Sequence, residues 1–569
     1  MRTVFLAAAC LLATVSIAAE RPAGVSMERR WVFTMTNLAS DEALAKTTEL
    51  MRRAKRAGYN GIVVSDSKFA KHQLQPKSYD QNVRRFRKAC RDEGMDLVAA
   101  VFPIGYAAEL LAADPNLAEG MPVRNAPFVV RGGKLLPADE TQLVNGTFEN
   151  WKGDVPRGWS VDKPGLVSFR DEQVRYQGRP TLRQEHAPIK GGVARAIQRV
   201  KVRPWQSYHL SAMVRTENCT SKDFRLFALD GDPDKGYPLC WQPPAIKPTA
   251  DWTPIHATFC SAENTEVGIY LGSYNAKRGT VWYADVRLEP AGFVNVLRRD
   301  SLPVRIAGGD GAVVYAEGKD YAEVRDPLLG HDPNPGYFTW WHNPPEIAVL
   351  PSGRLKDGDR VAASFHFATI VGKSHQINCC LSEPKVYAIL ESEARWAKEV
   401  LEPDVYMMSH DEIRHCGWDD TCTSRKKTCG EMLAENIRRC SEILETVDPG
   451  RPAAVWSDMF DPHHNAHKTG WMYLARGNGP WHGSWEGLPP RTIVVNWHNN
   501  DPQSLRFFAD RGNRQVLAGF YDDDPKRIVE WLEMARQSGG VCGVMYTTWV
   551  NDYSKLEAFM EHVRQFEKR

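Results

Sequence analysis

Beyond its first twenty residues the sequence has no apolar run approaching the ~18 to 20 residues that span a bilayer, so no membrane helix is expected. It has no surplus of charge either. The 72 basic and 70 acidic residues nearly cancel, and no basic stripe is present to hold nucleic acid or an anionic membrane surface. A G-x-S-x-G elbow, which would serve an esterase, is missing. So are the tight C-x2-C pairs that zinc sites favour, and no metal or other cofactor is expected. A lyase acting on uronates would need basic residues to grip a carboxylate, whereas the polar strand ends described below are acidic and aromatic. These absences leave an uncharged partner.

The opening MRTVFLAAACLLATVSIAAE carries Arg2, an apolar run from Val4 to Ala13 and small residues at Ser16, Ala18 and Ala19. This pattern predicts a cleavable leader over 1–19 and a secreted or periplasmic protein. Cys10 leaves with the leader, and eleven cysteines remain, an odd number. Export permits disulfides. Cys219, Cys240 and Cys260 fall in one β-rich segment and Cys416, Cys422 and Cys429 in another cluster, and both groups read as disulfides or as free buried thiols. The 18 tryptophans are many, and a good number stand beside Asp, His, Asn or Gly, where an indole face can pack on the flat C–H face of a sugar ring.

A chain of 569 residues has room for several domains. From Trp31 strand and helix alternate: WVFTMT, a helix in DEALAKTTELMRRAKRAG, the strand YNGIVVSD, a helix around NVRRFRKACRDEG, then MDLVAAVFP. This rhythm implies parallel strands with right-handed crossovers. It stops near Ala138. Short strands broken by Gly, Pro and Asn follow, among them VARAIQRVKV, SYHLSAMVR, IHATFCS, EVGIYLGS and TVWYADVRLEP, and read as a β-sandwich. A smaller antiparallel unit follows, and alternation then resumes with EPKVYAILESEARWAKEVL. Strands centred near Trp31, Ile62, Leu97, Val405, Ala453, Ile493, Val516 and Val544 number eight, which predicts an α/β protein with a (β/α)8 TIM barrel. Its expected parts are barrel over 20–140, a jelly-roll insertion over 141–291, a small β unit over 292–370, and the rest of the barrel over 371–569.

Active-site residues of such barrels sit at the C-terminal ends of the strands. Strand two ends at Asp66, and strand four at His410, Asp411 and Glu412. Strand five ends at Trp456 and Asp458, strand six at Trp497 and His498, strand seven at Tyr521 and Asp522, and strand eight at Trp549, Asn551 and Asp552. Asp411 and Glu412 follow closely on the apolar VYMM, where charge needs a ligand, a proton or a partner. Their bland alternative is a salt bridge to Arg414 or a network at the barrel rim. His410 reads equally as a proton-transfer aid or a loop contact. Asp461, His463, His464 and His467 in DPHHNAH invite a metal reading, although loop histidines beside proline more often touch sugar or loop. WWHNPP, from Trp340 to Pro345, is either an aromatic platform over the barrel mouth or an interdomain plug.

Over LSEPKVYAILESEARWAKEVLEPDVYMMSHDE, from Leu381 to Glu412, the sequence resembles glycoside hydrolase family 20, the β-N-acetylhexosaminidases: a Pro-initiated helix, then a strand ending in Asp-Glu. VWSDM, VVNW, GFYDD and GVMYTTW echo the family at the later strands. The segment opening with NGTFENW and PRGW and closing with WYADVRLEP resembles a jelly-roll carbohydrate-binding module. The catalytic resemblance implies substrate-assisted hydrolysis of β-linked N-acetylhexosamine in oligosaccharides or polysaccharides. Glu412 would be the general acid, and Asp411 would orient the 2-acetamido group. Tyr521 would hydrogen-bond its oxygen, Trp456, Trp497 and Trp549 would wall the subsite, and Asn551 or Asp552 would reach outer hydroxyls. The family's Gly-Gly before Asp-Glu is Ser409-His410 here, and its arginine after strand one is replaced by Thr36-Asn37. Two rival readings are a retaining glycosidase with Asp522 or Asp458 as nucleophile about 5 to 5.5 Å from Glu412, and a barrel that binds glycans without cleaving them.

Overall fold

The structure is a computed structural model, and it describes residues 25–138, 141, 143–186, 193–219, 223–230, 238–242, 246–274, 278–309, 311–372, 376–468, 473–477, 479–498 and 501–569. The leader expected over 1–19 lies outside the described residues. The eight barrel strands are β1 (Val25–Met35), β2 (Gly61–Ser65), β3 (Asp96–Val101), β4 (Val405–Met408), β5 (Ala453–Trp456), β6 (Ile493–Asn496), β7 (Gln515–Leu517) and β8 (Val541–Tyr546). Each pairs in parallel with the next, and β8 returns to β1, so the barrel is closed. It contains all eight expected strands.

Two apolar sets alternate along these strands, as the period of two requires. Trp31, Phe33, Val63, Val98, Val405, Met407, Trp456, Ile493, Val495, Val516, Ala518 and Met545 pack together as the barrel filling. Val32, Ile62, Val64, Tyr406, Met408, Val494, Leu517 and Tyr546 belong to the larger core beneath the surrounding helices.

Those helices are cued by their sequences. α1 (Asp41–Ala57) starts at Ser40, whose side chain accepts from Ala43 N–H, carries Asp41 and Glu42 in its first turn, and stops at left-handed Gly58. α2 (Lys77–Asp92) follows β2, and α3 (Pro384–Trp396) has proline in its first turn. α4 (Cys429–Val447) opens with a capping box between Thr428 and Glu431. α5 (Pro502–Asp510), α6 (Arg527–Ser538) and α7 (Leu556–Glu567) follow β6, β7 and β8.

Among the described residues no α-helix follows β5. The stretch there is rich in glycine and contains Pro462 and Pro480, which disfavour a helix. A short 3-10 turn, Ser484–Gly487, takes the helix's place against α4. Gly487 makes that approach possible, because a Cβ there would stand 1.9 Å from the Ala434 carbonyl oxygen.

Between β3 and α3 the chain makes a nested excursion. Gly120–Arg131 and Lys134–Pro137 join Arg305–Gly308, Val314–Tyr315, Ile347–Ala348 and Arg360–Ala368 in one six-stranded antiparallel sheet. Residues 120–137 therefore belong to the small β unit, not to the barrel segment expected over 20–140. Their strand reads like a barrel strand in sequence but pairs antiparallel with Arg360–Ala368. Inside this unit sits the sandwich, two five-stranded antiparallel sheets. Each of the five strand motifs read from the sequence contributes a strand, Ala194–Lys201, Ser207–Glu217, Ala250–Cys260, Glu266–Tyr274 and Thr280–Pro290. The WWHNPP stretch is a plug: Trp341 stacks on His209 of the sandwich at 3.4 Å, and Trp340 donates to the Gly372 carbonyl at 3.2 Å. All eleven cysteines that follow the leader are buried and none is joined in a disulfide, so the disulfide alternative for the two clusters is set aside in favour of buried thiols.

Candidate active site

The alternation that fills the barrel also sorts the polar residues at its mouth. Continuing the inward parity of Val405 and Met407 brings Asp411 to the mouth, and continuing that of Ala454 and Trp456 brings Asp458 there. Ile493 and Val495 lead in the same way to Trp497. Outward parity carries Asp66, His410 and Tyr521 away.

Asp411, Glu412 and Asp458 form one cluster. The Glu412 N–H donates to Asp458 Oδ2 at 2.9 Å, a contact set by a left-handed backbone at Glu412, φ 48°. Asn465 Nδ2 donates to the same oxygen at 2.9 Å, and Trp497 Nε1 donates to Oδ1 at 3.3 Å. The Glu412 carboxylate forms an ion pair with Arg414 at 2.8 Å and accepts from Gln376 Nε2 at 3.0 Å and from the Tyr106 hydroxyl. Arg414 is itself held between two rings, with its guanidinium 5.3 Å from Trp241 of the sandwich and 5.2 Å from Tyr473. The salt bridge weighed as the bland alternative thus exists, and it involves the carboxyl that reaches open space.

Glu412 lines a cavity of about 280 Å³ together with His463, His464, Asn465, His467, Tyr473, Trp481, Trp497 and His498. Phe33, Trp456, Trp497 and Trp549 form an aromatic cluster beside it, with ring centroids 5.7 to 6.5 Å apart. Of these Trp549 is exposed.

Burial raises the proton affinity of the two acids behind Glu412. Asp458 is pushed up to about 7 by burial and by the charge of Glu412, against the hydrogen bonds that favour its anion. Asp411 is held well above the usual carboxylate range by burial and then by the charges of Asp458 and Glu412. Folding thus favours protonated Asp458, and that contribution to stability is lost as pH rises from the unfolded value of 3.8 to about 7. An Asp458→Asn variant is therefore expected to show a flatter decline of Tm between about pH 4 and 7 than the parent, as scanning calorimetry across that range would measure.

The remaining expected residues lie elsewhere. Asp66 is buried and accepts from Leu38 N at 2.7 Å and Lys68 N at 3.0 Å, tying the loops after β1 and β2. His410 is buried against α4, with Nε2 2.9 Å from Asn436 Oδ1, and burial lowers its pKa to about 4. It does not line the cavity, and its partner belongs to a helix, not to the neighbouring loop that the sequence suggested. Tyr521 lies between β8 and α7, its ring 6.1 Å from Tyr546 and 4.8 Å from Phe559. Because the structure does not bring Tyr521 to the cavity, Tyr521→Phe is expected to leave KM within about twofold, where loss of a substrate hydrogen bond would raise it about tenfold. Asp522 accepts from Trp549 N at 3.0 Å and from the Thr548 hydroxyl, bracing the loop after β8. Asn551 borders a separate hollow of about 570 Å³ with Thr36 and Asn37, and Asp552 accepts from Ser554 N at 2.9 Å.

In the histidine loop, Asp461 accepts from His463 N at 2.8 Å, and His464 stacks on His498 at 4.2 Å. These side chains do not converge to metal-ligand spacing among the described residues. Sequence reasoning missed Tyr106, Gln376, Tyr473 and Trp481. Gln376 lies at the end of the excursion, far in sequence from any strand end.

No family model matches the chain, and no curated protein matches it. Solved structures do. One, described as "CBM4 structure and function", is 16% identical, with a TM-score of 0.21, covering 26% of this chain and 99% of its own. The TmCBM61 structure in complex with β-1,4-galactotriose is 12% identical, with a TM-score of 0.21 and coverage of 27% and 99%. The CBM22-1 xylan-binding domain of Paenibacillus barcinonensis Xyn10C is 14% identical, with a TM-score of 0.18 and coverage of 25% and 90%.

Proposed function

We propose that this protein is an exported glycoside hydrolase that cleaves β-linked N-acetylhexosamine from oligosaccharides or polysaccharides at the mouth of its barrel. The observation that carries the reading is the composition of the site. Three carboxyls, Asp411, Glu412 and Asp458, gather beside one guanidinium, Arg414, at the edge of an aromatic-walled cavity. Such a site favours positive charge, which is what develops at the anomeric carbon when a glycosidic bond breaks. Glu412, the carboxyl that lines the cavity, exchanges a proton with the glycosidic oxygen. Asp411 receives the acetamido N–H, and the acetamido carbonyl attacks the anomeric carbon. Trp497 and Trp549 offer faces to the sugar ring.

The Arg414 ion pair favours a second reading. A carboxylate neutralised by a guanidinium suits a nucleophile, and Asp411, with its raised proton affinity, would then be the acid. A panel of aryl glycosides separates the two. Cleavage confined to β-GlcNAc and β-GalNAc substrates supports substrate assistance. Cleavage of β-glucoside or β-galactoside, with a glycosyl group trapped on Glu412 by a slow fluorosugar, supports the second. Glycan binding without turnover on any substrate would overturn both in favour of a binding role.

A further inference from the structure

We propose that Glu119, Cys380, Asp419 and Cys422 form a structural zinc site at the neck of the β excursion. One ligand atom from each lies within 4.8 Å of all the others, and all four residues are buried. They come from three places in the chain. Glu119 immediately precedes the outgoing strand Gly120–Arg131, Cys380 lies just before α3 on the return, and Asp419 and Cys422 lie in the loop that carries Asp411 and Glu412. This scatter is why no spacing rule finds the site.

The geometry fits an ion better than a bond between the sulfurs. Cys380 Sγ and Cys422 Sγ are 3.5 Å apart, far beyond the ~2.05 Å of a disulfide. Two sulfurs each ~2.3 Å from a tetrahedral ion stand about 3.8 Å apart. Glu119 Oε2 is 3.2 Å from Cys422 Sγ, a few tenths of an ångström inside the ~3.6 Å sulfur–oxygen edge around such an ion.

The carboxylates are also oriented from outside. Glu119 Oε1 accepts from Trp418 N at 2.7 Å and from Asp419 N at 3.2 Å. Asp419 accepts from Cys422 N at 2.8 Å and from Arg299 Nη2 at 2.5 Å. Such outer contacts fix metal-binding carboxylates. Arg299 neutralises Asp419, so the buried acid still in need of a proton or a cation is Glu119. Two thiolates with two carboxylates, dry and four in number, select zinc over hard cations that prefer all-oxygen shells. Binding releases both thiol protons to solvent and involves no change of oxidation state.

An ion here would tie the two crossings of the excursion to the β4 loop. The test uses the whole purified chain. Elemental analysis after dialysis against zinc, then against buffer, is expected to give one zinc per chain. Replacement by cobalt(II) should give a thiolate-to-metal charge-transfer band, and chelation should lower Tm. Cys380→Ser and Cys422→Ser should lose both metal and band, whereas Cys542→Ser, on the barrel strand β8, should keep them. Should the two variants fail to fold, the metal content and cobalt spectrum of the parent decide alone. A zinc-free chain with reactive thiols at both positions, or a Cys380–Cys422 disulfide in peptide mapping, overturns the proposal.

Discussion

Glu412→Gln is expected to lower kcat/KM on an aryl β-N-acetylhexosaminide by about 10² to 10⁴-fold, the range that general acid–base groups contribute. The substitution keeps the volume of the side chain and its reach into the cavity but removes both the proton it exchanges and the charge that faces Arg414. Arg414 is buried between Trp241 and Tyr473, so losing its partner also costs stability. Activity and Tm must therefore be read together. If activity falls only as far as the folded fraction falls, Glu412 is a salt-bridge residue and the proposed chemistry is wrong. A leaving group that needs no protonation provides the second readout. Substrates with good leaving groups should lose much less in the variant than poor ones, a dependence that no purely structural role produces.

Gly105→Ala should be nearly as damaging without touching a carboxyl. A Cβ at Gly105 would stand 1.7 Å from the Asp411 carbonyl oxygen, backbone against backbone, so the loop after β3 and the Asp411–Glu412 turn must separate. A shift of about 1 Å in a catalytic group costs on the order of 10²-fold in rate, and overpacking costs roughly 1–3 kcal/mol. It would also pull Tyr106, on the next residue, from Glu412. Gly309→Ala is the control, since among the described residues its Cβ would meet only Arg360 O, at 3.8 Å. Equal activity in the two variants would show that the loops tolerate separation and that the turn does not set the site.

The barrel was legible because its signal is local. Eight short apolar strands, most of them spaced by amphipathic helices, announce themselves whatever they enclose. The excursion was legible as β structure, but its nesting was not, since one of the two partners of the strand over 120–131 lies more than two hundred residues away. At the site, the rule that polar strand ends face the mouth brought Asp411, Glu412, Asp458 and Trp497 together but also admitted Asp66, His410 and Tyr521. Counting parity from the strand interior separates Asp411, Asp458 and Trp497 from Asp66, His410 and Tyr521, as Leu517 and Tyr521 lie on the outer face and Val516 and Ala518 on the inner one, but it puts Glu412 with His410, and only the left-handed backbone at Glu412 takes that carboxyl to the cavity. That count was available in the sequence. Tyr106, Gln376 and Trp241 were not, since the first two reach Glu412, and the third reaches its partner Arg414, only because distant segments fold back.

The interruption between β3 and β4 also sets a clock. About three hundred residues separate those neighbours in the sheet, and at ~5–20 residues per second a ribosome needs roughly 15 to 60 s to deliver them. Throughout that wait β1, β2 and β3 form an open three-stranded sheet with both edges bare, the state in which unpaired strands recruit the wrong partner. The sandwich and its companion sheet can fold during the pause and leave the two ends of the excursion side by side. When β4 arrives, it enters beside β3 by a short closure rather than a long search.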